Sequence, residues 1–204
     1  MKLKLDEHPA ARVTGAPTLY GGIVYVPISS IEEATGASGD YQCCSFRGSV
    51  VALDARTGAR VWKTFTIPEQ PRPTNKNPVG TQLFGPSGAA VWSAPTVDVE
   101  RNALYVATGN SYSNPPADTS DAVIALDLNT GQMLWHRQLT ANDAYITGCS
   151  TGRSINPTIT APTMISASHR SWCVSPMASA FWRSRRSQAL CTRWILTMTA
   201  KSFG

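Results

Sequence analysis

The chain has 204 residues, of which 42% are hydrophobic and 15% are charged. This composition is enough for one ordinary domain with a hydrophobic core. No stretch approaches the roughly 20 uncharged apolar residues of a membrane-spanning helix. The first residues run into charge and Pro9 without the pattern of an export signal. We therefore expect neither a transmembrane span nor a signal peptide in this chain.

The net charge of +5 is distributed unevenly. Residues 1–149 hold all 13 acidic residues and 11 of the 18 Lys and Arg, whereas residues 150–204 hold seven basic residues and no acidic one. The same boundary separates an alternating apolar pattern from a Ser, Thr and Arg mixture without periodicity. A basic balance can indicate a nucleic-acid partner. Here the excess lies entirely in the second part, so we expect no nucleic-acid partner for the first.

Two segments of the first part repeat each other. Val50–Trp62 and Val123–Trp135 agree at eight of thirteen positions when Val and Ile are counted as equivalent. Each copy has a β-branched run, then Asp-x-x-Thr-Gly, then a second run that ends in Trp. Asp and Thr can bond the backbone of a tight turn, and Gly supplies a positive φ. Each copy is therefore predicted to form a strand, a turn and a second strand.

A second pair of strand signals precedes each copy, in residues 16–26 and 94–107. Four antiparallel strands per repeat are typical of a propeller blade. The two closing Trp residues are 73 positions apart, and the excess over a usual blade of roughly 40–50 residues lies in loops at Pro68–Gly88 and Ser111–Ser120. The sequence therefore predicts an all-β fold, a partial β-propeller of about two four-stranded blades. Because two blades cannot close a ring, we expect a piece of a larger protein.

The element Ala-Leu-Asp-x-x-Thr-Gly-x-x-x-Trp, present in both copies, resembles the tryptophan-docking motif of the quinoprotein dehydrogenases. Ser29–Glu33 followed by Cys43–Val51 is similar, within that family, to the polyvinyl-alcohol dehydrogenases. The resemblance covers about residues 8–149. It implies two blades of an eight-bladed propeller that oxidises alcohols with pyrroloquinoline quinone (PQQ) and calcium. It also implies that the parent enzyme is periplasmic and passes electrons to a c-type cytochrome. This chain alone is expected to be inactive, because it is only a part of that enzyme.

The resemblance assigns candidate metal ligands. Family members bind calcium through a Glu on the Ser-Ser-x-x-Glu loop and the Asn of a Gly-Asn pair, which correspond here to Glu33 and Asn110. Calcium prefers such oxygen ligands and can polarise the reacting carbonyl. Glu32 competes with its neighbour for the same role. The alternatives are a solvated loop for the two Glu residues and a turn for Asn110.

The resemblance also assigns the two faces of the planar cofactor. Trp92 lies eighteen residues before Asn110, which is the family's spacing between the Trp stacked on PQQ and the metal-binding Asn. A blade-core Trp is the alternative. Cys43 and Cys44 correspond to the vicinal disulfide that covers the other face in family members. Two free thiols in a reducing compartment are the alternative.

Asp143 is the candidate catalytic base. Thr140–Ile146 resembles the segment that carries the family's catalytic Asp, and Asp143 matches an acidic position in it. A carboxylate near the metal can take the hydroxyl proton during alcohol oxidation. The usual base of the family lies three residues later, where this sequence has Ile146. The alternative for Asp143 is a turn or capping role.

Residues 150–204 are predicted to be an out-of-frame translation. With permitted codons, a shift of one base converts Cys191–Gly204 into V-H-A-L-D-P-D-N-D-G-E-V-L-W, which contains the blade motif again. The same shift of residues 162–173 permits P-D-Y-D-F-G-E-S-P-I-L-V. The alternative is a genuine basic disordered tail. Under the frameshift interpretation, the basic cluster Arg183–Arg186 has no nucleic-acid meaning.

The runner-up function is a non-catalytic propeller scaffold that binds protein partners, because such repeats also occur without PQQ. The set formed by Glu33, the two neighbouring Cys residues, Trp92 and Asn110 distinguishes the two classes. A scaffold has no need for these residues, so the sequence favours the dehydrogenase.

Overall fold

The computed structural model describes residues 3–146, which form short β-strands and one helical turn. Residues 150–204, and with them the frameshift prediction, lie outside the described part. None of the described helices is long and apolar enough to cross a membrane. The elements, in chain order, are β1 (Ala11–Arg12), β2 (Thr18–Tyr20), β3 (Ile23–Ser30), α1 (Glu32–Thr35), β4 (Ser49–Asp54), β5 (Arg60–Phe65), β6 (Arg72–Lys76), β7 (Gln82–Gly85), β8 (Thr96–Asp98), β9 (Ala103–Ala107), β10 (Ala122–Asp127) and β11 (Met133–Gln138).

Two antiparallel sheets have the architecture expected of blades. The first has the order β2-β3-β4-β5, with β1 pairing the far end of β3. The second has the order β8-β9-β10-β11. In each sheet the four strands therefore pair in chain order, although the connections between β3 and β4 and between β9 and β10 are long. The predicted all-β fold with two four-stranded units is confirmed.

The turn chemistry of the repeat explains why both sheets close in the same way. Asp54 Oδ1 accepts hydrogen bonds from the backbone N–H of Thr57 at 2.7 Å and from its hydroxyl at 2.7 Å. Asp127 Oδ1 accepts the corresponding bonds from Thr130 at 2.8 and 2.9 Å. The glycine that follows has a φ of 73° in both turns, a conformation that other residues rarely adopt.

Trp62 and Trp135 occupy equivalent positions in the two sheets, as predicted. Trp62 packs against Tyr25 and Trp135 against Tyr105, and each pair has ring centroids 5.8 Å apart and planes inclined by 42°. Their burial differs, because Trp62 is 9% exposed and Trp135 is 37% exposed. The first of these indoles is covered by the second sheet.

Two hydrophobic clusters hold this part of the chain together. One lies between the sheets and combines residues from both, including Tyr25, Trp62, Leu104 and Ile124. The other lies at the opposite side of the first sheet and combines Val26, Val51 and Phe46 with the loops that carry Cys43, Cys44, Ala90, Tyr112 and Ala144. The second cluster therefore brings distant loop segments together against one face of the first sheet.

The segment Pro68–Gly88, expected to be a loop, contains the β6–β7 hairpin. Asn77 organises the connection, because its Oδ1 accepts hydrogen bonds from the backbone N–H groups of Val79 and Thr81 at 3.2 and 2.9 Å. All five residues of β6 are exposed. Without a buried face, this strand lacks the alternating pattern that sequence analysis depends on.

Candidate functional site

Helix α1 directs its two Glu residues into different environments. Glu32 is fully buried, and its carboxylate accepts hydrogen bonds from the Tyr41 hydroxyl and the backbone N–H groups of Ser45 and Phe46. Glu33 is partly exposed. Its pKa is raised by burial and by the negative charge of Asp143. Glu33 therefore lies within electrostatic range of the candidate base, whereas the Glu32 carboxylate is bonded to the residues that follow the two Cys residues.

A third carboxylate belongs to the same region. Burial and the charge of Asp143 raise the pKa of Asp121 to about 7. Asp121 Oδ2 is buried and has no hydrogen-bond partner among residues 3–146. The Glu33 and Asp121 carboxylates are each repelled by that of Asp143, so a cation placed among the three would be favoured.

Asn110 lies beside Asp143 because backbone bonds of Ser111 connect their loops. The N–H of Ser111 donates to the carbonyl of Asp143 at 3.1 Å, and the Ser111 carbonyl accepts from Tyr145 N–H at 2.8 Å. The side-chain amide of Asn110 donates to the carbonyls of Ser111 and Tyr145, both at 2.8 Å. Both amide hydrogens are used in these bonds. Within the described part of the chain the amide nitrogen is thus committed, and the amide oxygen is the atom of Asn110 with the chemistry to bind a cation.

The indole of Trp92 packs against Gly109, the residue before Asn110. A Cβ added to Gly109 would lie 2.9 Å from Trp92 Nε1, so the absence of a side chain at Gly109 allows this approach. Trp92 is 41% exposed, in contrast to the 9% of Trp62 in the blade core. An aromatic face is therefore available beside the candidate metal ligands.

Cys43 and Cys44 form a disulfide, and both residues are almost fully buried. The carbonyl of Cys43 accepts a hydrogen bond from Phe84 N–H of β7 at 2.7 Å. A Cβ on Gly36, at the end of α1, would lie 2.6 Å from Cys43 Sγ. The disulfide is thus packed between α1 and the β6–β7 hairpin.

Sequence reasoning missed Asp121 and Tyr112. Tyr112 is 1% exposed, and its pKa is raised by burial and by the negative charge of Glu33. Asp121 has a φ of 46° and aligns in the repeat with Gly48. An Asp in place of Gly directly before the repeated strand was the signal that could have identified it.

The side chains fit part of a calcium site and one face of a planar cofactor. Glu33, Asp143 and Asn110 supply the oxygen donors that hard cations prefer. Within residues 3–146, no three His, Cys, Asp or Glu side chains converge at metal-binding distance. An amide ligand such as Asn110 is therefore needed to complete even a partial set.

Comparison with known proteins identifies the family of this chain. Residues 4–145 match the PQQ family described as the β-propeller domain of glucose, ethanol and alcohol dehydrogenases. A polyvinylalcohol dehydrogenase of Sphingopyxis sp. (strain 113P3) is 49% identical over 148 residues, which are 72% of this chain and 23% of the relative. A second polyvinylalcohol dehydrogenase, from Pseudomonas sp, is 45% identical over 148 residues with the same coverage.

Solved structures show the same relationship. Quinohemoprotein alcohol dehydrogenase ADHIIG from Pseudomonas putida HK5 aligns with a TM-score of 0.51 and 26% identity, covering 69% of this chain and 22% of that protein. This chain therefore spans less than a quarter of the length of these relatives. The two sheets fit a partial propeller of this type. The chain belongs to the family of PQQ-dependent alcohol dehydrogenase β-propeller domains.

Proposed function

We propose that this chain forms the part of a quinoprotein alcohol dehydrogenase that holds calcium and one face of PQQ. The observation that supports this best is that the segments carrying the candidate residues are neighbours. The charge of Asp143 acts on Glu33, backbone bonds of Ser111 join the loops of Asn110 and Asp143, and the half-exposed Trp92 packs against Gly109. The similarity to polyvinylalcohol dehydrogenases makes polyvinyl alcohol the leading substrate.

Each candidate residue has a separate proposed role, which follows from its chemistry. Glu33 and the amide oxygen of Asn110 would hold calcium, and the indole of Trp92 would hold one face of PQQ. When bound, PQQ supplies the two-electron acceptor for alcohol oxidation, and calcium supplies the positive charge that polarises it. Asp143 takes the hydroxyl proton of the alcohol as general base.

The buried disulfide supports an oxidising compartment as the location of the parent enzyme. Disulfides persist in oxidising compartments, and the periplasm is one of these. We infer a periplasmic parent enzyme that passes electrons to a c-type cytochrome. The sequence of this chain contains no Cys-x-x-Cys-His, so that haem would be supplied from outside these 204 residues.

A dye-linked assay of alcohol oxidation with added calcium and PQQ tests this function. The purified 204-residue chain is expected to be inactive, because two blades supply only part of the metal shell and one stacking face. A misplaced cofactor adds to this loss, since a displacement of about 1 Å can cost about 100-fold in rate. A full-length, frame-restored protein has the remaining contacts and is expected to oxidise the alcohol. Robust turnover by the short chain would refute the fragment proposal, and no PQQ binding by the full-length protein would favour a scaffold.

We also propose that residues from about 150 onward are translated out of frame. The family match ends at residue 145, close to the point where acidic residues disappear from the sequence. The restored frame would extend the propeller with a further copy of the blade motif.

A further inference from the structure

Glu32 is the most completely bonded carboxylate near the candidate site. Its side chain is 0% exposed. Oε1 accepts from the Tyr41 hydroxyl at 3.0 Å and from Ser45 N–H at 2.9 Å, and Oε2 accepts from Phe46 N–H at 2.8 Å. A buried carboxylate with both oxygens bonded in this way is stabilised where it lies.

These bonds connect two functional segments. Glu32 lies directly before Glu33 in α1, while Ser45 and Phe46 directly follow the disulfide. The close approach of Gly36 to Cys43 Sγ gives a second contact between the helix and this segment. The Glu32 carboxylate therefore ties the helix that carries Glu33 to the loop that carries the disulfide.

His8 completes the environment of this carboxylate. Its Nε2 lies 3.4 Å from Glu32 Oε1 and 3.1 Å from Ser45 Oγ. Its Nδ1 accepts a hydrogen bond from Ala10 N–H at 3.2 Å, so we assign the ring hydrogen to Nε2. The Nε2–H group therefore faces the carboxylate of Glu32.

We propose that Glu32 is a positioning residue that holds the disulfide loop, residues 43–46, in fixed relation to Glu33, and that it does not itself bind the metal. The functional role of this geometry rests on the proposed function. The contacts of Glu32 are independent of that function, because all of them lie within the described part of the chain. The Glu32 oxygens point at N–H and O–H donors, while those of a metal ligand would face the cation.

The first experiment replaces Glu32 by Gln in the 204-residue chain. Gln keeps the shape but has one acceptor oxygen, so its NH₂ group meets a buried donor at Ser45, Phe46 or Tyr41. We expect amide exchange at Ser45 and Phe46 to accelerate at least tenfold. We also expect reduction of the disulfide by dithiothreitol to accelerate at least tenfold, with exchange in β10 unchanged.

The matched control is Glu33→Gln, one residue along the same helix. It should weaken binding of calcium chloride in calorimetry at least tenfold while leaving the exchange and the reduction rate as in the parent chain. The proposal is overturned if E32Q leaves both local rates unchanged, or if it removes calcium binding as completely as E33Q. An E33Q chain with normal calcium affinity would refute the metal assignment alone and leave the positioning role to the two local rates.

A milder variant keeps the test decisive if E32Q does not fold. Tyr41→Phe removes one donor to Glu32 and leaves both backbone bonds in place. Exchange at Ser45 and Phe46, and the rate of disulfide reduction, should then rise about threefold. Unchanged rates in a folded Tyr41→Phe chain would contradict the proposal.

Discussion

The indole N–H of Trp62 in β5 donates a hydrogen bond of 3.1 Å to the backbone carbonyl of Leu128, in the turn that follows β10 of the other sheet. Tyr25 donates to the same carbonyl at 3.3 Å. Gly131 provides the surface for the indole, since a Cβ there would lie 2.6 Å from the ring. The Trp that closes one repeat therefore docks on the turn of the next.

Replacing Trp62 by Phe should destabilise the chain by about 2–3 kcal/mol, because the change removes a hydrogen bond and leaves a cavity between the sheets. Urea unfolding followed by circular dichroism would measure the loss. Trp135→Phe is the matched control and should cost about 1 kcal/mol or less, because this side chain is 37% exposed. Equal losses in the two variants would contradict the docking role of Trp62.

Asp121 should make the fold less stable as the pH rises. Its pKa of about 7 in the folded chain lies above the usual value of an unfolded Asp. Between about pH 4 and 7 the folded state therefore binds more protons, and the free energy of unfolding falls with increasing pH. Asp121→Asn should remove this dependence and stabilise the chain at pH 8, as measured by urea unfolding at several pH values.

Asp143→Asn provides the control for that measurement. Because the charge of Asp143 helps to raise the pKa of Asp121, neutralising it should lower that pKa. Carboxyl ¹³C resonances would follow the titration directly. A pKa of Asp121 near the ordinary Asp value in the parent chain would contradict the described burial.

Asn110→Ala should weaken calcium binding at least tenfold, since it removes the amide oxygen and the two bonds that hold the loop at Ser111 and Tyr145. Calorimetric titration of the 204-residue chain with calcium chloride would measure this. Asn129→Ala, in the exposed turn of the second sheet, should leave the affinity unchanged. Unaltered affinity in Asn110→Ala would remove Asn110 from the metal site.

Gly109→Ala should reduce PQQ binding at least tenfold without unfolding the sheets. The new methyl group would lie 2.9 Å from Trp92 Nε1 and would displace the indole. Quenching of tryptophan fluorescence by added PQQ in the frame-restored protein would report the affinity. Trp92→Phe should lose less, because a smaller aromatic face remains. Full affinity in Gly109→Ala would show that the cofactor does not depend on this surface.

Resequencing the DNA around codon 150 should reveal a lost or gained base. Restoring the frame is expected to yield a sequence that contains Asp and the blade motif near residues 191–204, in place of a segment without acidic residues. A confirmed reading frame identical to the present one would refute the frameshift.

Much of the fold follows from local signals. The alternation of apolar residues and the Asp-x-x-Thr-Gly turns act over a few neighbouring positions, so they predicted both sheets and the equivalent positions of Trp62 and Trp135. The β6–β7 hairpin escaped this approach because β6 buries no side chain. A strand could therefore be predicted from the sequence only where one of its faces is buried.

The sequence by itself determined the residue types of the candidate site, including the pair Glu32 and Glu33, but could not distinguish their roles. Tertiary structure decided that Glu32 is buried against backbone donors of a loop more than ten residues away, while Glu33 lies near Asp143. It also decided the raised pKa of Asp121. Burial and electrostatic neighbours depend on contacts between distant segments, and local pattern carries no information about these distances.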